Sequence, residues 1–283
     1  MELTNIKEYL STGTGTEGQL LIPRKIADKL VEETDKALIP RNEAAIFFSP
    51  DMIPGSSIDV DLETPDSMSV RRVAEGADIP LDQTEYSTFN LKPDKYGVSI
   101  RITRELQEDA KWPLVERNIA IAGKRFAENE NSLIINDALE NATNTISGGS
   151  AITITNISRG MQYLEDEDYD PTTLFIGMEV LNDLRNIDTF TEVDKSGDAD
   201  MLRTGFRGVL FGMNVIKVST NAGMTTTSSY ITDKMHAYVL AEKRSLSVER
   251  FEIANQDMSA AAITQRVKAR QLRAEAICKI TTT

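Results

Sequence analysis

The spacing of apolar positions changes as the chain is read from residue 56 to its end. Ile58, Val60 and Leu62 alternate with Asp59 and Asp61; Tyr96, Val98, Ile100 and Ile102 alternate with Gly97, Ser99 and Arg101. This period of two predicts two extended segments within 56–103, the second returning along the first. About thirty mostly polar residues lie between them, including Val73-Ala74-Glu75-Gly76-Ala77-Asp78-Ile79-Pro80. A hairpin so long and polar has no core of its own, so it is expected to project and to meet a partner. A helical rhythm follows. Pro113 suits a first helical turn, and Val115, Ile119, Ala122, Phe126 and Leu133 recur on one face. The pattern predicts a helix to about Leu139, ~40 Å long, with a break into two shorter helices near Gly123 or Asn129 as the alternative.

The second half is mixed. Helices are expected at about 156–165 and 179–186, around a buried strand at Thr173-Leu174-Phe175-Ile176-Gly177, with a charged loop at 188–200. Strands are expected at 214–219, 229–232, 237–241 and 246–253. From Ile263 onward the chain reads as extended, with Arg266, Lys268 and Arg270 facing one way. Leu272, Ala274, Ala276, Cys278 and Ile280 then occupy the even positions. That parity switch between Ala269 and Leu272 predicts a bulge or a change of packing surface. With no repeat and no βαβ series, the pattern is α+β. The first forty residues read as an arm: small residues over 11–18, then an amphipathic stretch from Pro23 to Leu38. Gly13, Gly15 and Gly18 have dinucleotide-loop spacing, but no strand precedes them, so a flexible linker is the better reading.

Composition narrows the chemistry. Among 283 residues, 31 Lys+Arg face 44 Asp+Glu, a formal net charge of −13. That balance, with basic residues never beyond doublets such as Arg71-Arg72, argues against a nucleic-acid reader. One Cys (Cys278) and one His (His236) cannot build a disulfide or a zinc site. Cys278 reads as a buried small hydrophobe and His236 as a packed strand-end residue. Asp166, Asp168 and Asp170 open like a calcium loop, but the sixth and twelfth positions are Pro171 and Gly177 rather than Gly and Glu. There is no phosphate loop and no nucleophile elbow, so neither enzymatic activity nor a cofactor is expected. No apolar run approaches the ~20 residues of a spanning helix, and Met1-Glu2-Leu3-Thr4-Asn5 does not open a signal peptide. Synthesis in the cytoplasm and no membrane partner are the expectation.

Four stretches, in this order, resemble the major capsid protein of tailed phages and archaeal tailed viruses, the Hong Kong 97-type shell fold. Val73-Ala74-Glu75-Gly76-Ala77 with Pro80 is similar to the tip of that family's E-loop. Ile102-Thr103-Arg104-Glu105-Leu106-Gln107-Glu108-Asp109-Ala110 resembles the run into its spine helix. Tyr169-Asp170-Pro171 followed by Leu174-Phe175-Ile176-Gly177-Met178 resembles its A-domain strand and helix. Leu210-Phe211-Gly212-Met213-Asn214-Val215, leading to Val218-Ser219, resembles the strand after the A-domain loop, with Asn214 where the family usually has Pro.

The resemblance implies an α+β Hong Kong 97-like capsid fold. Its parts would be an N-terminal arm (1–40), an extended E-loop hairpin with flanking P-domain strands (56–103), the P-domain spine helix (104–150), an A-domain (151–245) and a return to P-domain strands (246–283). It implies a homo-oligomer: hexamers and pentamers closing into an icosahedral shell around double-stranded DNA, without sequence-specific binding. A portal, and scaffolding or decoration proteins, would be further partners. The implied location is the virion capsid, assembled in the host cytoplasm. Implied inter-subunit contacts are Arg71, Arg72, Val73, Glu75, Gly76, Ile79 and Pro80 at the E-loop tip, and Leu20, Leu21, Ile22 and Pro23 in the arm. The short arm implies scaffolding that is separate, absent or already removed. Lys92 and Lys95 could donate to a covalent crosslink of the kind some members form, but 258–262 contains no Asn acceptor, so none is expected. The alternatives are an encapsulin-type nanocompartment shell of the same fold, an α+β enzyme, or another virion component such as a decoration or tail protein.

Overall fold

The computed structural model describes residues 40–63, 70–79, 81–82, 86–103, 105, 114–187, 209–253 and 256–282. The described chain enters through a short strand β1 (Ile46–Phe48), then β2 (Ile58–Glu63), β3 (Tyr86–Leu91) and β4 (Asp94–Thr103). The long helix α1 (Leu114–Leu133) runs on without a break into a π-helical turn, Ile134–Leu139. Next come β5 (Asn144–Gly149), α2 (Ile154–Glu165), β6 (Thr173–Ile176), α3 (Met178–Arg185), β7 (Val209–Leu210), β8 (Met213–Lys217) and β9 (Ser228–Thr232). The chain closes with β10 (Tyr238–Ile253), β11 (Met258–Gln271) and β12 (Ile277–Thr282).

These strands make two principal sheets, ordered β1-β10-β11-β4 and β5-β12-β9-β6-β8-β7, and a separate two-stranded ribbon β2-β3. Helix α1 covers one face of the four-stranded sheet, packing Ala122 and Phe126 on Ile263, Tyr96 and Ile100. Neither Gly123 nor Asn129 breaks it. The inward face it offers drifts in the π turn, where Ile134, Ile135, Ala138 and Leu139 are all buried. Those four side chains lie in one core with Phe175 and Tyr230 of the six-stranded sheet and Tyr238, Leu240, Val267 and Ala269 of the four-stranded one. The wide turn therefore fills the join between the sheets. Helices α2 and α3 bury Ile157, Leu164, Val180 and Leu184 against Leu174, Ile176, Ile231 and Ile280. All four residues of β6 are buried, because Phe175 faces one core and Leu174 and Ile176 the other. This is why Leu174-Phe175-Ile176 is an unbroken apolar run rather than an alternating one.

Several expectations need correction. The segment Tyr96–Ile102 does not return along 58–62: β2 pairs with β3, Ile58 opposite Leu91 and Glu63 opposite Tyr86. After Lys92-Pro93 the chain leaves the ribbon, and β4 lies antiparallel on β11 instead. The C-terminal segment is not one extended run either. Strand β11 belongs to the four-stranded sheet and β12 to the six-stranded one, so the parity switch marks the passage between sheets. The two strands expected at 237–241 and 246–253 are one, β10, with irregular register on both sides of Arg244. Strand β8 lies parallel to β6, with α3 between them in chain order. His236 lies in a turn rather than at a packed strand end. Its Nδ1 is 2.6 Å from Asp233 Oδ2, its ring centroid 5.4 Å from that of Tyr169, and its side chain 45% exposed.

Candidate inter-subunit surface

The β2-β3 ribbon has two unlike faces. Ile58, Val60 and Leu62 point one way, while Asp59, Asp61 and Glu63 point the other. At its base the apolar face reaches the four-stranded sheet. There Ile58 and Phe89 join Ile53, Leu91, Val239, Ala241 and Leu272. Basic side chains from β10, β11 and the residues just after β11 then hold the ribbon and its flanks by their backbones. Arg266 donates to the Pro93 carbonyl (3.1 Å), Arg270 to Asn90 (3.2 Å) and Arg273 to Glu63 (3.0 Å). Lys243 donates to the Ile53 carbonyl, and the Arg270 guanidinium stacks 4.5 Å above the Phe89 ring. Cross-strand bonds Thr88 Oγ1 to Asp61 (2.7 Å) and Asn90 Nδ2 to Asp59 (2.6 Å) stiffen the polar face.

Beyond the base the ribbon has little to bury. Ala77 N–H donates to the Ala74 carbonyl (3.1 Å) in a turn whose Gly76 has φ +79°, a left-handed conformation that suits glycine. Arg71 and Asp82 approach to 3.6 Å across it. Val70, Val73, Ile79, Leu81 and Tyr86 are nevertheless exposed. Burying one such aliphatic side chain is worth ~1.5–3 kcal/mol, and an isolated two-stranded ribbon is marginal in water. The geometry suits docking on a second surface. Of the tip residues expected from sequence, Arg71, Arg72, Val73, Glu75, Gly76 and Ile79 are brought together here and exposed. Pro80 and the arm residues Leu20, Leu21, Ile22 and Pro23 lie outside the described residues. Val70, Leu81 and Tyr86 were missed; their signal was apolar residues isolated among polar ones.

The segment entering the fold is fixed from both sides. Arg41 donates Nε and Nη2 to Glu130 at 2.7 and 2.8 Å, and lies 3.5 Å from Glu242. Gln265 Nε2 donates to the same Glu130 (3.0 Å). Burial raises the Glu130 carboxyl, and Arg41 and Gln265 offset this only in part. Glu43 accepts from Thr173 (2.9 Å) and faces Lys234 at 3.7 Å. Residues 41–43 thereby link α1 and β10 to β6 in the other sheet. On the far side, Lys279 and Tyr230 both donate to Glu140. Burial opposes ionisation there, but these hydrogen bonds and the Lys279 charge outweigh it and hold the carboxyl below its ordinary value.

Burial pushes the Cys278 thiol up to about 12, and the imidazole faces Asp233. Among the described residues, no group of three or more His, Cys, Asp or Glu could hold a metal ion. No described helix is long and apolar enough to cross a membrane.

No curated protein matches the chain, but solved capsids do. The mature capsid of bacteriophage PhiM1 superposes with a TM-score of 0.69 at 10% identity, covering 87% of each chain. The capsid of a native GTA particle gives 0.66 at 14% identity, over 88% of this chain and 90% of that one. A virus-like particle from Pyrococcus furiosus gives 0.59 at 13%, over 91% and 98%. At such identities these matches speak for the fold, which is the α+β capsid fold with its projecting hairpin. The sequence profile of the phage capsid protein family aligns independently with residues 85–274. That span runs from the far strand of the ribbon through both sheets, and with it the chain belongs to the phage capsid protein family.

Proposed function

We propose that this capsid protein is the major shell subunit of a tailed virus, assembling as hexamers and pentamers into an icosahedral shell that encloses double-stranded DNA. The observation that carries the proposal is the β2-β3 ribbon, anchored firmly at its base yet with apolar side chains exposed at its tip. In a shell each tip lies on a neighbour, and the apolar surface is buried there. In this reading the four-stranded sheet with α1 is the peripheral domain, the six-stranded sheet with α2 and α3 the axial domain, and the ribbon the E-loop. The acidic balance suits a wall that contains DNA without gripping it. Filling through a portal, help from scaffolding or decoration proteins, and assembly in the host cytoplasm belong to the same proposal.

The likeness to the Pyrococcus furiosus virus-like particle, of which 98% is covered, favours a second reading, a nanocompartment shell holding protein. Particles purified from the producing host separate the two. Nuclease-protected double-stranded DNA of uniform length inside closed shells is the expected result; shells that contain protein cargo and no protected DNA would favour the second.

A further inference from the structure

Helix α1 does not close fully on the edge of the four-stranded sheet. Strand β4 is the outermost strand there, and between it and the helix lies a cavity of about 160 Å³ that opens to the surface. Tyr96, Gly97 and Val98 line it from the strand; Arg125, Phe126 and Asn129 line it from the helix. The volume is about that of a cavity holding a single six-membered ring. Two aromatic rings and Val98 make most of its wall apolar.

The polar groups present suit an anion. Arg125 reaches the cavity with a side chain that is mostly exposed, its Nη1 donating to Glu128 (2.8 Å). Lys124 approaches the same carboxylate at 3.9 Å, so two cations meet one anion on this turn of α1 and a positive charge is left over. Asn129, one turn beyond Arg125, has a buried Nδ2 with no hydrogen-bond partner among the described residues. Buried amide donors are rarely left unpaired. A water here would find few further partners in so apolar a wall.

We infer that the cavity between α1 and β4 is a binding site for a small monocarboxylate whose apolar body is the size of one ring. The apolar part lies between Tyr96, Val98 and Phe126, where it is removed from water. The carboxylate takes a charge-assisted hydrogen bond from Arg125. It takes a second from Asn129, whose amide turns about its soft terminal torsion to present Nδ2. A ligand held in this way joins the middle of the helix to the free edge of the sheet. The site is complete within one subunit and does not rest on the shell reading.

Benzoate is the probe, read by saturation-transfer NMR and by thermal unfolding of the full chain. It should bind with a Kd on the order of 1 mM. At ~10 mM it should then shift the folding equilibrium ~10-fold toward the native state. Benzamide, the same shape without the charge, should bind at least ~5-fold more weakly. Asn129→Leu removes the donor and fills part of the space, so it should fold at least as stably and weaken benzoate binding ~10-fold or more. Val98→Trp, at an exposed position on the strand side, should block the cavity to the same effect, and it keeps the test decisive if the helix variant fails to fold. Benzoate that binds a folded variant as it binds the unaltered chain, or benzamide that binds as tightly as benzoate, would overturn the site. So would the absence of saturable binding below ~10 mM, which is the result a cavity holding only water gives.

Discussion

Arg41 grips Glu130 with both arms of its guanidinium, at 2.7 and 2.8 Å, with Glu130 almost wholly buried on α1. The pair fastens the point where the chain enters the fold to the helix spanning the four-stranded sheet. Removing the cation strands a buried carboxylate, so Arg41→Ala should cost about 3 kcal/mol. Adding Glu130→Gln should return at least ~1 kcal/mol, because the uncompensated charge is then gone. Urea unfolding of the two variants checks this; additive losses would contradict it.

The arginine ties predict a local effect. Arg270→Ala removes the stack on Phe89 and the bond to the Asn90 carbonyl, both at the ribbon's base and neither in the main core. Amides of β2 and β3 should exchange ~10-fold faster in the variant, while those of β6 and β9 keep their protection. Hydrogen exchange read by mass spectrometry would show it. Uniform acceleration across both sheets would mean that Arg270 supports the whole fold.

Two glycines should respond differently to alanine. At Gly177 a Cβ would lie 2.4 and 2.6 Å from the carbonyl oxygens of Thr226 and Thr225, and backbone cannot step aside as a rotamer can. Gly177→Ala should cost about 3 kcal/mol. At Gly160 the nearest atom is the Ile231 Cδ1, at 2.7 Å, the far end of a flexible side chain, and alanine gains ~1 kcal/mol of helix propensity. Gly160→Ala should therefore be the milder change by at least ~1 kcal/mol in denaturant midpoints.

Two carboxylates should give pH dependences of opposite sign. Glu140 lies below its ordinary 4.5 in the fold, so as pH falls the unfolded chain takes up the proton first. Its contribution to stability is present above 4.5 and lost as pH falls through the lowered value. Glu130 is raised above 4.5, so its contribution is fullest below that value and lost as pH rises through the raised one. Relative to the unaltered chain, Glu140→Gln should flatten the acid-side loss of stability, and Glu130→Gln should remove a loss on the higher-pH side. Urea midpoints measured from acid to neutral pH test both; parallel curves would refute the assignment.

Elements with a strong period were legible in the sequence. The helical rhythm through Ala122 and Phe126 gives α1, and the apolar run Leu174-Phe175-Ile176 gives a strand buried on both faces. The parity change after Ala269 flagged the passage from one sheet to the other, although not its destination. The ribbon's second strand was harder. Tyr86-Ser87-Thr88-Phe89-Asn90-Leu91 has apolar residues on both faces, since one packs on the base and the other is exposed, and its alternation is blurred. The stronger period at 96–102 drew the pairing to the wrong segment. Strand β5 is polar and ends in glycine, with only Ile146 fully buried, so nothing marked it. The π turn left no period to read. At the candidate surface, Arg266 and Arg270 could be placed on one side of a strand; that they tie a ribbon depends on tertiary packing that periodicity does not encode.

The central claim is that the ribbon belongs, in function, to the neighbouring subunit. Electron cryomicroscopy of particles purified from the full chain tests it most directly. The account predicts closed icosahedral shells in which the tip of each β2-β3 ribbon lies on an adjacent copy. Dispersed monomers at high concentration, or shells in which every ribbon stays on its own subunit, would contradict it.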